Sequence, residues 1–586
     1  MNYFNNNIMD DLKTKVNIKS SKGFLWSLKE CESDEVQSLV KNCNISKFLA
    51  QILSSRKINA NNFDLFSNPT LKNTLSDPSI IKNMDQGTKK IVEIIKLKKK
   101  IGIIGDYDVD GATSTAILVN FFKTLKIETE FHIPDRIKEG YGPNIVALRE
   151  LNNRCDLIIT VDCGTTANEV IDQAKVEGIE IIVVDHHQQG KEVPDAHSII
   201  NPNQNHDKSS LKYLAAVGVT FFLLISINRK LRSDGFFKLF NEPNLVQFLD
   251  LVALGTVCDI VPLKGCNRAI VKQGLKVINN SSNLGIKSLL SKIGIKEEIN
   301  EFHLGYFLGP RINAGGRVGE SSLGVRLLTS EKSIESNVYA HKLDELNIER
   351  RKIEKEVEQL ALQKVDTQQN IICVHDDNWH PGVIGIVASR ISERFSKPAI
   401  VISESDDMCK GSCRSVHGVD IGKIIKKSVE EGIIDSGGGH KMAAGLSIKK
   451  NQINLFKDFL QKEILIDYND LTKNYDSEIS LSNIDENLYN LIQCLSPFGP
   501  GNLKPILLIK KCFIKFPKLV GTNHISCYLS DLYGNSIKAI AFKAFDNNLG
   551  NDLLENKGKT FNIVGKLSVN NWNNSKNIQI EIEDIF

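Results

Sequence analysis

Residues 101–111 read IGIIGDYDVDG, a short aliphatic run followed at once by three aspartates at alternate positions. The same texture continues to Asn201, where the runs LIITV (157–161) and IIVV (181–184) alternate with helix-like stretches such as ATSTAILVNFFKTL. Short apolar runs that alternate with helical patterns are typical of a parallel β-sheet covered by helices. The sequence therefore predicts an α/β fold built on a doubly wound parallel sheet.

The composition changes along the rest of the chain, and for 586 residues we expect three or four domains. Residues 331–365 are charged and free of glycine and proline, which predicts one long helix, although a merely solvated face would have the same charge pattern. The tail has five or so short alternating runs, typical of a small β-barrel such as the OB-fold. The predicted domains are a helical N-terminal lead-in (1–100), the α/β domain (101–330), a connecting helix (331–368), a second, smaller α/β domain (369–470) and the barrel (475–586).

Composition and charge exclude several classes of protein. Lysine and arginine number 73 against 70 aspartates and glutamates, a formal net charge of +3, so any basic surface must be local. The longest apolar run, residues 214–227, is too short to span a bilayer and predicts a buried helix and no membrane association. The first residues lack the pattern of a secretory signal, and we expect a cytoplasmic protein. The twelve cysteines include no C-x-x-C pair, which argues against zinc ribbons and redox dithiols.

Three aspartates follow the first predicted strand: Asp106, Asp108 and Asp110. Carboxylates this close repel one another, and in open α/β sheets ligands bind beyond the carboxyl ends of the strands, so a bound cation is the simplest explanation. An EF-hand loop has the same D-x-D-x-D-G start but needs a bidentate glutamate at its twelfth position, which here is Ile117. We therefore expect a cation site at the edge of the sheet rather than a calcium loop.

Two further predicted strands also end in acids, the first in Asp162 and the second in Asp185, His186 and His187. A single aspartate at a strand end is often a helix cap, but three neighbouring strands with such ends are hard to explain by capping. Asp259 lies in an otherwise apolar stretch, where a buried acid needs a partner. Carboxylates and imidazoles without thiolate favour Mn²⁺ or Mg²⁺, and this many ligands suits two ions, an arrangement that supports phosphoester hydrolysis.

The motifs DYDVDG, VDCG, VDHHQ and LGTVCDIVPL resemble the DHH phosphoesterase superfamily. Later motifs resemble its RecJ family: GPRINAGGR (309–317), WHPGVIGIVASR (379–390), GSCRS (411–415), GGGHKMAAG (437–445) and PFGPGN (497–502). The resemblance implies a DHH domain, a long connecting helix, a DHH-associated domain and an OB-fold, with single-strand-specific 5′-to-3′ DNA exonuclease activity. It also implies the metal ligands, which would be Asp108, Asp110, Asp162, His186 and Asp259, with Asp106 and His187 lining the same site as catalytic residues.

One position departs from the wider superfamily, in which smaller DHH enzymes carry a metal-binding histidine four residues before the first ligand aspartate. Here that position is Ile104, and Asp106 could replace the histidine. Which carboxylate binds which ion therefore stays open.

Phosphate-binding residues are expected on both sides of the connecting helix. Arg311 and Arg317 flank a predicted glycine-rich turn, where the backbone could approach an anion closely and arginine offers a bidentate fork. The resemblance implies that Arg136, Ser412 and Arg414 surround a 5′-terminal phosphate, and that His380, as a catalytic residue, and His440 lie near the scissile phosphate. Taken singly, any of these arginines could be a surface ion pair and either histidine a structural one.

Two other functions stay open at this point: a small DHH phosphodiesterase acting on cyclic dinucleotides or short oligonucleotides, and a non-catalytic replication scaffold. The β-rich tail argues against the first and the intact acids against the second. The expected partners are single-stranded DNA, a single-strand-binding protein and a helicase, and we expect a monomer. Aromatic residues of the tail could stack on bases or fill the barrel core: Phe513, Phe516, Tyr528 and Trp572.

Overall fold

The computed structural model describes residues 19–281, 283–406, 408–464, 472–555, 558–572 and 575–586; residues 1–18 of the predicted lead-in and 465–470 of the predicted second α/β domain lie outside the described residues. The chain divides into two compact units. One contains Asn68–Ile466 with Pro497–Leu503, and the other contains Met1–Ser67, Asp467–Ser496 and Lys504–Phe586. Each unit is described by itself.

The strands of the described residues are, in chain order, β1 (Leu25–Leu28), β2 (Ile101–Gly105), β3 (Thr129–His132), β4 (Leu157–Val161), β5 (Ile181–Val184), β6 (Ser198–Ile200), β7 (Ile372–Asp376), β8 (Ala399–Ser403), β9 (Cys409–Arg414), β10 (Ser436–His440), β11 (Ala443–Ile448), β12 (Thr472–Tyr475), β13 (Ser477–Glu478), β14 (Leu507–Val520), β15 (His524–Ser530), β16 (Ser536–Ala541), β17 (Thr560–Trp572) and β18 (Ser575–Ile585).

The α-helices of the same residues are α1 (Ser33–Cys43), α2 (Lys47–Ser55), α3 (Phe63–Ser67), α4 (Leu71–Thr74), α5 (Met84–Lys96), α6 (Val109–Thr124), α7 (Ile145–Asn152), α8 (Asn168–Val176), α9 (Ala216–Ser233), α10 (Leu249–Cys258), α11 (Gly265–Ser281), α12 (Leu284–Ile293), α13 (Glu301–His303), α14 (Gly309–Val318), α15 (Leu323–Thr329), α16 (Ser333–Gln363), α17 (Ile384–Phe395), α18 (Ile421–Glu430), α19 (Ile453–Glu463), α20 (Glu486–Gln493) and α21 (Leu549–Leu554). A π-helical turn, Leu304–Leu308, joins α13 to α14.

The first sheet confirms the predicted parallel α/β fold. Its strand order is β3-β2-β4-β5-β6, and every pairing is parallel. Successive side chains of a strand point to opposite faces; Ile103 and Ile159 accordingly lie in a core with residues of α6 and α9, whereas Ile104 and Ile158 lie in a second core with residues of α7 and α8. Both faces are covered, which explains why the strands read as continuous apolar runs.

The second sheet comes after α16, a helix of 31 residues that lies within the predicted connecting helix (331–368). Its order is β10-β11-β9-β8-β7, with β7 and β8 parallel and the other pairs antiparallel. Residues of α16 and α17 pack on one face and residues of α18 and α19 on the other. This is the smaller α/β layer that the sequence predicts after the connecting helix.

The other unit contains a closed β-barrel, as predicted for the tail. Strands β14, β15, β16, β18 and β17 pair in that order, and β17 pairs again with β14 to close the ring. The first part of the lead-in belongs here, because β1 pairs in parallel with β12 and the Trp26 indole donates a hydrogen bond to Asp584 at 2.9 Å. Residues 68–100 belong to the first unit instead, so the predicted lead-in is divided between the two.

No helix within the described ranges combines the length and the apolar character that crossing a membrane requires. The apolar run 214–227 forms most of α9, whose side chains are largely buried against the first sheet, as the sequence predicts.

Candidate metal centre

The first strand ends at Gly105 and delivers three aspartates to the edge of the sheet. Asp108 caps the N-terminus of α6 and accepts a hydrogen bond from the Gly111 N–H at 3.1 Å. Gly111 cannot be replaced without movement, since a Cβ there would lie 2.4 Å from the carbonyl oxygen of Asp106. The tight turn therefore holds Asp106, Asp108 and Asp110 on one short stretch of backbone.

Strands β4 and β5 bring the next residues to the same edge. Gly105 is paired with Val161 and Val161 with Val184, so the residues that follow all three strands start at the same level. Asp162 has a positive φ of 60°, a conformation that costs a non-glycine residue energy and is typical of functional sites. Asp185 follows β5 directly and precedes the two histidines.

The His186 ring is oriented by a backbone carbonyl. Its Nδ1 lies 3.1 Å from the Leu214 carbonyl oxygen, which can only accept, so Nδ1 carries the proton. The other ring nitrogen, Nε2, lies 3.4 Å from an Asp162 carboxylate oxygen and 3.9 Å from one of Asp110. With the proton on Nδ1, the lone pair of Nε2 faces two carboxylates, an arrangement that a cation would stabilise.

Asp110 is fixed by the N-terminus of α9. Its two carboxylate oxygens accept hydrogen bonds from the backbone N–H groups of Ala216 and Val217, at 2.6 and 2.8 Å. Gly255 of α10 packs on it so closely that a Cβ would lie 3.2 Å from a carboxylate oxygen of Asp110. The side chain is only 1% exposed and cannot turn towards solvent.

These side chains form three groups whose potential ligand atoms lie within 4.8 Å of one another: Asp106, Asp108 and Asp162; Asp110, His186 and Asp259; Asp162, His186 and His187. Asp162 and His186 are shared between groups. All seven sequence-predicted residues of the metal site therefore meet in one place, although Asp259 comes from the end of α10 rather than from the sheet.

The electrostatics of the cluster fit divalent cations. Burial raises the pKa of Asp110 to about 6, against the opposing effect of His186. Burial, together with the neighbouring carboxylates, raises the pKa of Asp106, Asp162 and Asp259 well above the usual range. One carboxylate oxygen of each of these three is buried without a hydrogen-bond partner in the described structure. Oxygen-rich ligands with one or two imidazoles are the set that Mn²⁺ and Mg²⁺ accept, so these residues fit the expected ions.

Asp185 has a different role from the other acids, which sequence reasoning did not identify. One of its oxygens accepts hydrogen bonds from the His187 ring at 2.8 Å and from the His186 N–H at 2.7 Å, and the other accepts from the Thr165 N–H. Although burial opposes ionisation, the hydrogen bond and charge of His187 lower the pKa of Asp185. Asp185 thus orients the histidine pair, and the strand-end pattern alone could not distinguish this from a ligand.

Tyr141 is a second residue that the sequence reasoning missed. Its hydroxyl donates to the Asp162 carbonyl oxygen at 2.8 Å and lies 3.2 Å from Nδ1 of His187. Gly140 and Gly142 on either side both have positive φ, so the loop turns sharply around the tyrosine. The Gly-Tyr-Gly pattern was the available signal.

A group of cations lies beside the carboxylates. The Arg136 guanidinium is 5.1 Å from the centre of the Tyr107 ring, and Arg317 donates to the Gly382 carbonyl oxygen at 3.0 Å. Burial and, to a smaller extent, the charge of Arg136 lower the pKa of Arg317 to about 10. Arg414 donates to the hydroxyls of Ser389 and Ser412, at 3.0 and 3.2 Å, and its pKa is lowered by burial and also by Arg136. Such mutually repelling arginines form a ready site for an anion.

Arg311 is not part of this group. Its guanidinium forms a 2.8 Å ion pair with Asp344 of α16 and donates to the Phe307 carbonyl oxygen. The prediction of a glycine-rich turn at GPRINAGGR is wrong, because these residues form α14. Its glycines serve close packing instead: a Cβ on Gly316 would lie 2.8 Å from the carbonyl oxygen of Tyr107.

Two predicted site histidines, His380 and His440, belong to the second α/β layer. The His380 ring accepts a hydrogen bond from the Gly382 N–H at 3.0 Å, and Gly382 in turn contacts Arg317. His440 ends β10, and its pKa is lowered by burial and by the charges of His187 and His186. This electrostatic effect, together with the hydrogen bond from Arg317 to Gly382, connects the second layer to the metal cluster.

The chain is similar to known proteins along most of its length. The family model of the DHH family, N-terminal domain, matches residues 100–256, that of the DHHA1 domain matches 367–465, and that of the RecJ OB domain matches 475–584. The chain is 34% identical over 578 residues to single-stranded-DNA-specific exonuclease RecJ of Bacillus subtilis (strain 168), covering 95% of this chain and 70% of that protein. It is also 34% identical over 525 residues to the protein of the same name from Escherichia coli (strain K12), covering 85% and 90%.

Solved structures resemble it as well. RecJ in complex with Mn²⁺ from Thermus thermophilus matches with a TM-score of 0.80 and 26% identity, over 95% of this chain and 78% of that one. A structure of exonuclease RecJ bound to manganese matches with a TM-score of 0.56 and 32% identity, over 65% and 94%. About a third of the residues are identical to those of these relatives over most of the chain, which confirms the resemblance seen in the motifs. This chain belongs to the RecJ family.

Proposed function

We propose that this protein is a single-strand-specific DNA exonuclease that digests from the 5′ end and releases mononucleotides by metal-dependent phosphodiester hydrolysis, in DNA recombination and repair. One observation carries the proposal: buried carboxylate oxygens without partners and the Nε2 lone pair of His186 converge beside a group of mutually repelling arginines. Cations and a phosphate together would satisfy both sets of groups.

The residues that would hold two Mn²⁺ or Mg²⁺ ions are those of the first two groups, with Asp162 reaching both: Asp106, Asp108, Asp110, Asp162, His186 and Asp259. The chemistry that such ions supply when bound is a hydrolytic water at neutral pH and compensation of charge on the phosphate oxygens. Placing Asp106 among the ligands agrees with the expectation that it replaces the histidine absent at Ile104.

The remaining residues would hold the strand and its protons. Although burial lowers it, the pKa of His187 is raised by its hydrogen bond to Asp185, so this ring keeps a proton to higher pH than a free histidine and can donate it to a phosphate oxygen. Burial lowers the pKa of His380, which favours a neutral ring beside Gly382.

The 5′-terminal phosphate would be held by the arginine group with the serine hydroxyl: Arg136, Arg317, Ser412 and Arg414. His440 would contact the phosphate backbone from the end of β10. We assign Arg311 a supporting role, since its fork is already used by Asp344. Recognition of a terminal phosphate at this end supports 5′-to-3′ digestion.

Cellular context follows from the same proposal. All twelve cysteines lie in the described residues and none forms a disulfide, which supports a reducing compartment such as the cytoplasm. One chain carries every residue of the proposed site, which supports a monomer. A single-strand-specific enzyme needs unwound DNA, and we propose a helicase and a single-strand-binding protein as partners. The cyclic-dinucleotide and scaffold alternatives are not favoured, because the relatives matched along most of the chain are named exonucleases.

The test is digestion of single strands labelled at the 5′ or the 3′ end, with Mn²⁺, Mg²⁺ or chelator. We expect metal-dependent release of the 5′ label as a mononucleotide, and loss of that release in Asp110→Ala and in His186→Ala. The matched control is Asp458→Ala, an exposed aspartate of α19, which should keep full activity. Full activity of either site variant would overturn the site, and early release of the 3′ label would overturn the polarity.

A further inference from the structure

The motif PFGPGN has no part in the function proposed above, yet it packs within the compact unit that contains the metal centre. The Leu263 N–H donates to the Pro500 carbonyl oxygen at 2.7 Å, and the Phe498 N–H donates to the Glu301 carboxylate at 2.9 Å. The buried Arg268 donates to the Pro497 carbonyl oxygen at 3.3 Å. Residues 497–503 therefore belong to the same compact unit as the first sheet, although the residues on either side of them in sequence do not.

The stretch that this motif contacts begins directly after a candidate metal ligand. Asp259 is the C-cap of α10, and Ile260 next to it has a positive φ of 58°. A β-branched residue in this conformation is strained, and such strain persists only where the surroundings enforce it. Ile260 itself is 71% exposed, so its own side chain does not provide the restraint. Its backbone is held on one side by α10, where the Ile260 N–H donates to the Val257 carbonyl oxygen at 3.3 Å, and on the other side by the residues that follow, up to Leu263.

The fit between the two segments is tight at both glycines of the motif. A Cβ on Gly499 would lie 2.8 Å from Cδ1 and 3.2 Å from Cγ of Leu263. Gly501 has a φ of 75°, and a Cβ there would lie 3.3 Å from that of Pro262. The motif thus packs closely on Pro262 and Leu263, and its glycines are required for this close approach.

A buried amide connects the same stretch to the other ligands. Asn267 is fully buried and donates to the Pro262 carbonyl oxygen at 3.1 Å and to that of Tyr213 at 2.7 Å. The next carbonyl, of Leu214, orients His186, and the N–H groups two and three residues further bind Asp110. Asp259, His186 and Asp110 make up one of the three ligand groups, so a single network reaches all of its members.

We propose that the segment Pro497–Asn502 is a positioning element of the metal centre: it fixes residues 260–263 and thereby holds the Asp259 carboxylate towards Asp110 and His186. This inference rests on the proposed metal site and assigns to that site a support that is supplied from more than 230 residues later in the chain. Groups that orient ligands without touching the metal commonly contribute about 10- to 100-fold to metal affinity.

The experiment measures Mn²⁺ binding by the full-length protein, by calorimetry and by the electron paramagnetic resonance signal of free Mn²⁺. Glu301→Ala removes the acceptor for the Phe498 N–H, and Gly499→Val forces Leu263 to move. Each variant should weaken Mn²⁺ binding by about tenfold or more. Glu301→Gln keeps an oxygen acceptor and should bind like the wild type. Gly190→Ala, where the added Cβ would meet only an ordinary contact at 3.6 Å, is the matched glycine control.

Thermal unfolding without metal separates positioning from folding. A structural role alone would lower the melting temperature and leave Mn²⁺ affinity at 25 °C unchanged, and that result in Glu301→Ala would overturn the inference. If Gly499→Val does not fold, the Glu301 pair carries the test. Failure of the wild type to bind Mn²⁺, or unchanged binding in Asp110→Ala, would instead overturn the proposed metal site, so the two failures are distinguishable.

Discussion

The metal site should lose affinity for Mn²⁺ as the pH falls, and the size of the loss can be worked from Asp110. Its carboxylate is 1% exposed, and burial raises its pKa to about 6. A metal displaces the proton, so affinity scales with the ionised fraction. That fraction is about ten in eleven at pH 7 and about one in eleven at pH 5 for a pKa of about 6, a tenfold loss, or about 1.4 kcal/mol.

The other acids make the dependence steeper. Burial raises the pKa of Asp106, Asp162 and Asp259 well above the usual range, so tenfold is the lower bound, and Mn²⁺ binding should release protons. Without metal, the pH dependence of folding stability has the opposite sign to that of Mn²⁺ affinity. Groups with a raised folded-state pKa bind more protons folded than unfolded, so the metal-free protein loses stability as the pH rises from about 4 through about 6. Stabilisation by Mn²⁺ should therefore increase with pH.

The assay is titration calorimetry with Mn²⁺ at pH 5, 6 and 7, each in two buffers of different ionisation enthalpy, because the difference between the buffers counts the protons released. His186→Ala serves as the control without the imidazole ligand and should bind weakly at every pH. Equal affinity at pH 5 and pH 7, or binding without proton release, would refute the assignment of buried, protonated carboxylates to this site.

Three further predictions concern the rest of the proposed site. Arg414→Lys keeps the charge but loses the guanidinium fork that binds two serines. It should reduce kcat/KM on 5′-phosphorylated strands about tenfold or more, whereas Arg394→Lys, at an exposed arginine, should not reduce it. Equal effects of the two substitutions would contradict phosphate recognition by Arg414. Gly382→Ala places a Cβ 2.2 Å from the Arg317 carbonyl oxygen and should cost about 1–3 kcal/mol of stability by chemical denaturation, together with most of the activity; wild-type stability would contradict the packing. Phe516→Ala removes an aromatic ring that is 78% exposed on β14. It should weaken the binding of long single strands by about 1–3 kcal/mol, the contribution of one stacked base, as measured in a fluorescence titration. Unchanged binding would show that this ring does not contact DNA.

The sequence predicted the parts of the fold that depend on local pattern. Continuous apolar runs mark strands buried on both faces, and acids after such runs must meet at one sheet edge, which is why Asp108, Asp110 and Asp162 were found together with His186. Their roles as ligands stay a prediction. The β-barrel was also predicted from alternation, whereas the side chain of Trp572 in its last hairpin lies outside the described residues.

What the sequence could not predict depends on contacts between distant segments. The glycines of GPRINAGGR read as a turn, but three-dimensional packing against Tyr107 is what requires Gly316. Asp185 and Asp162 follow equivalent strands, and only the hydrogen bonds from the His187 ring and the His186 backbone N–H show that Asp185 orients the histidines while Asp162 faces the cluster. Backbone groups of residues 214–217 fix two candidate ligands and carry no signal in side-chain identity.

The near-neutral net charge of the chain conceals two local sets of opposite charge at the site. Six carboxylates lie at the edge of the first sheet or beside it, and the charge of Arg136 lowers the pKa of both Arg317 and Arg414 nearby. Neither set is neutralised by the other, because oxygens of Asp106, Asp162 and Asp259 stay without partners. Cations bound at the acids reduce the repulsion that a phosphate would otherwise meet there, so the two sets together suit a phosphate bound beside metal ions. A net charge summed over the chain cancels these two opposing sets and hides both of them.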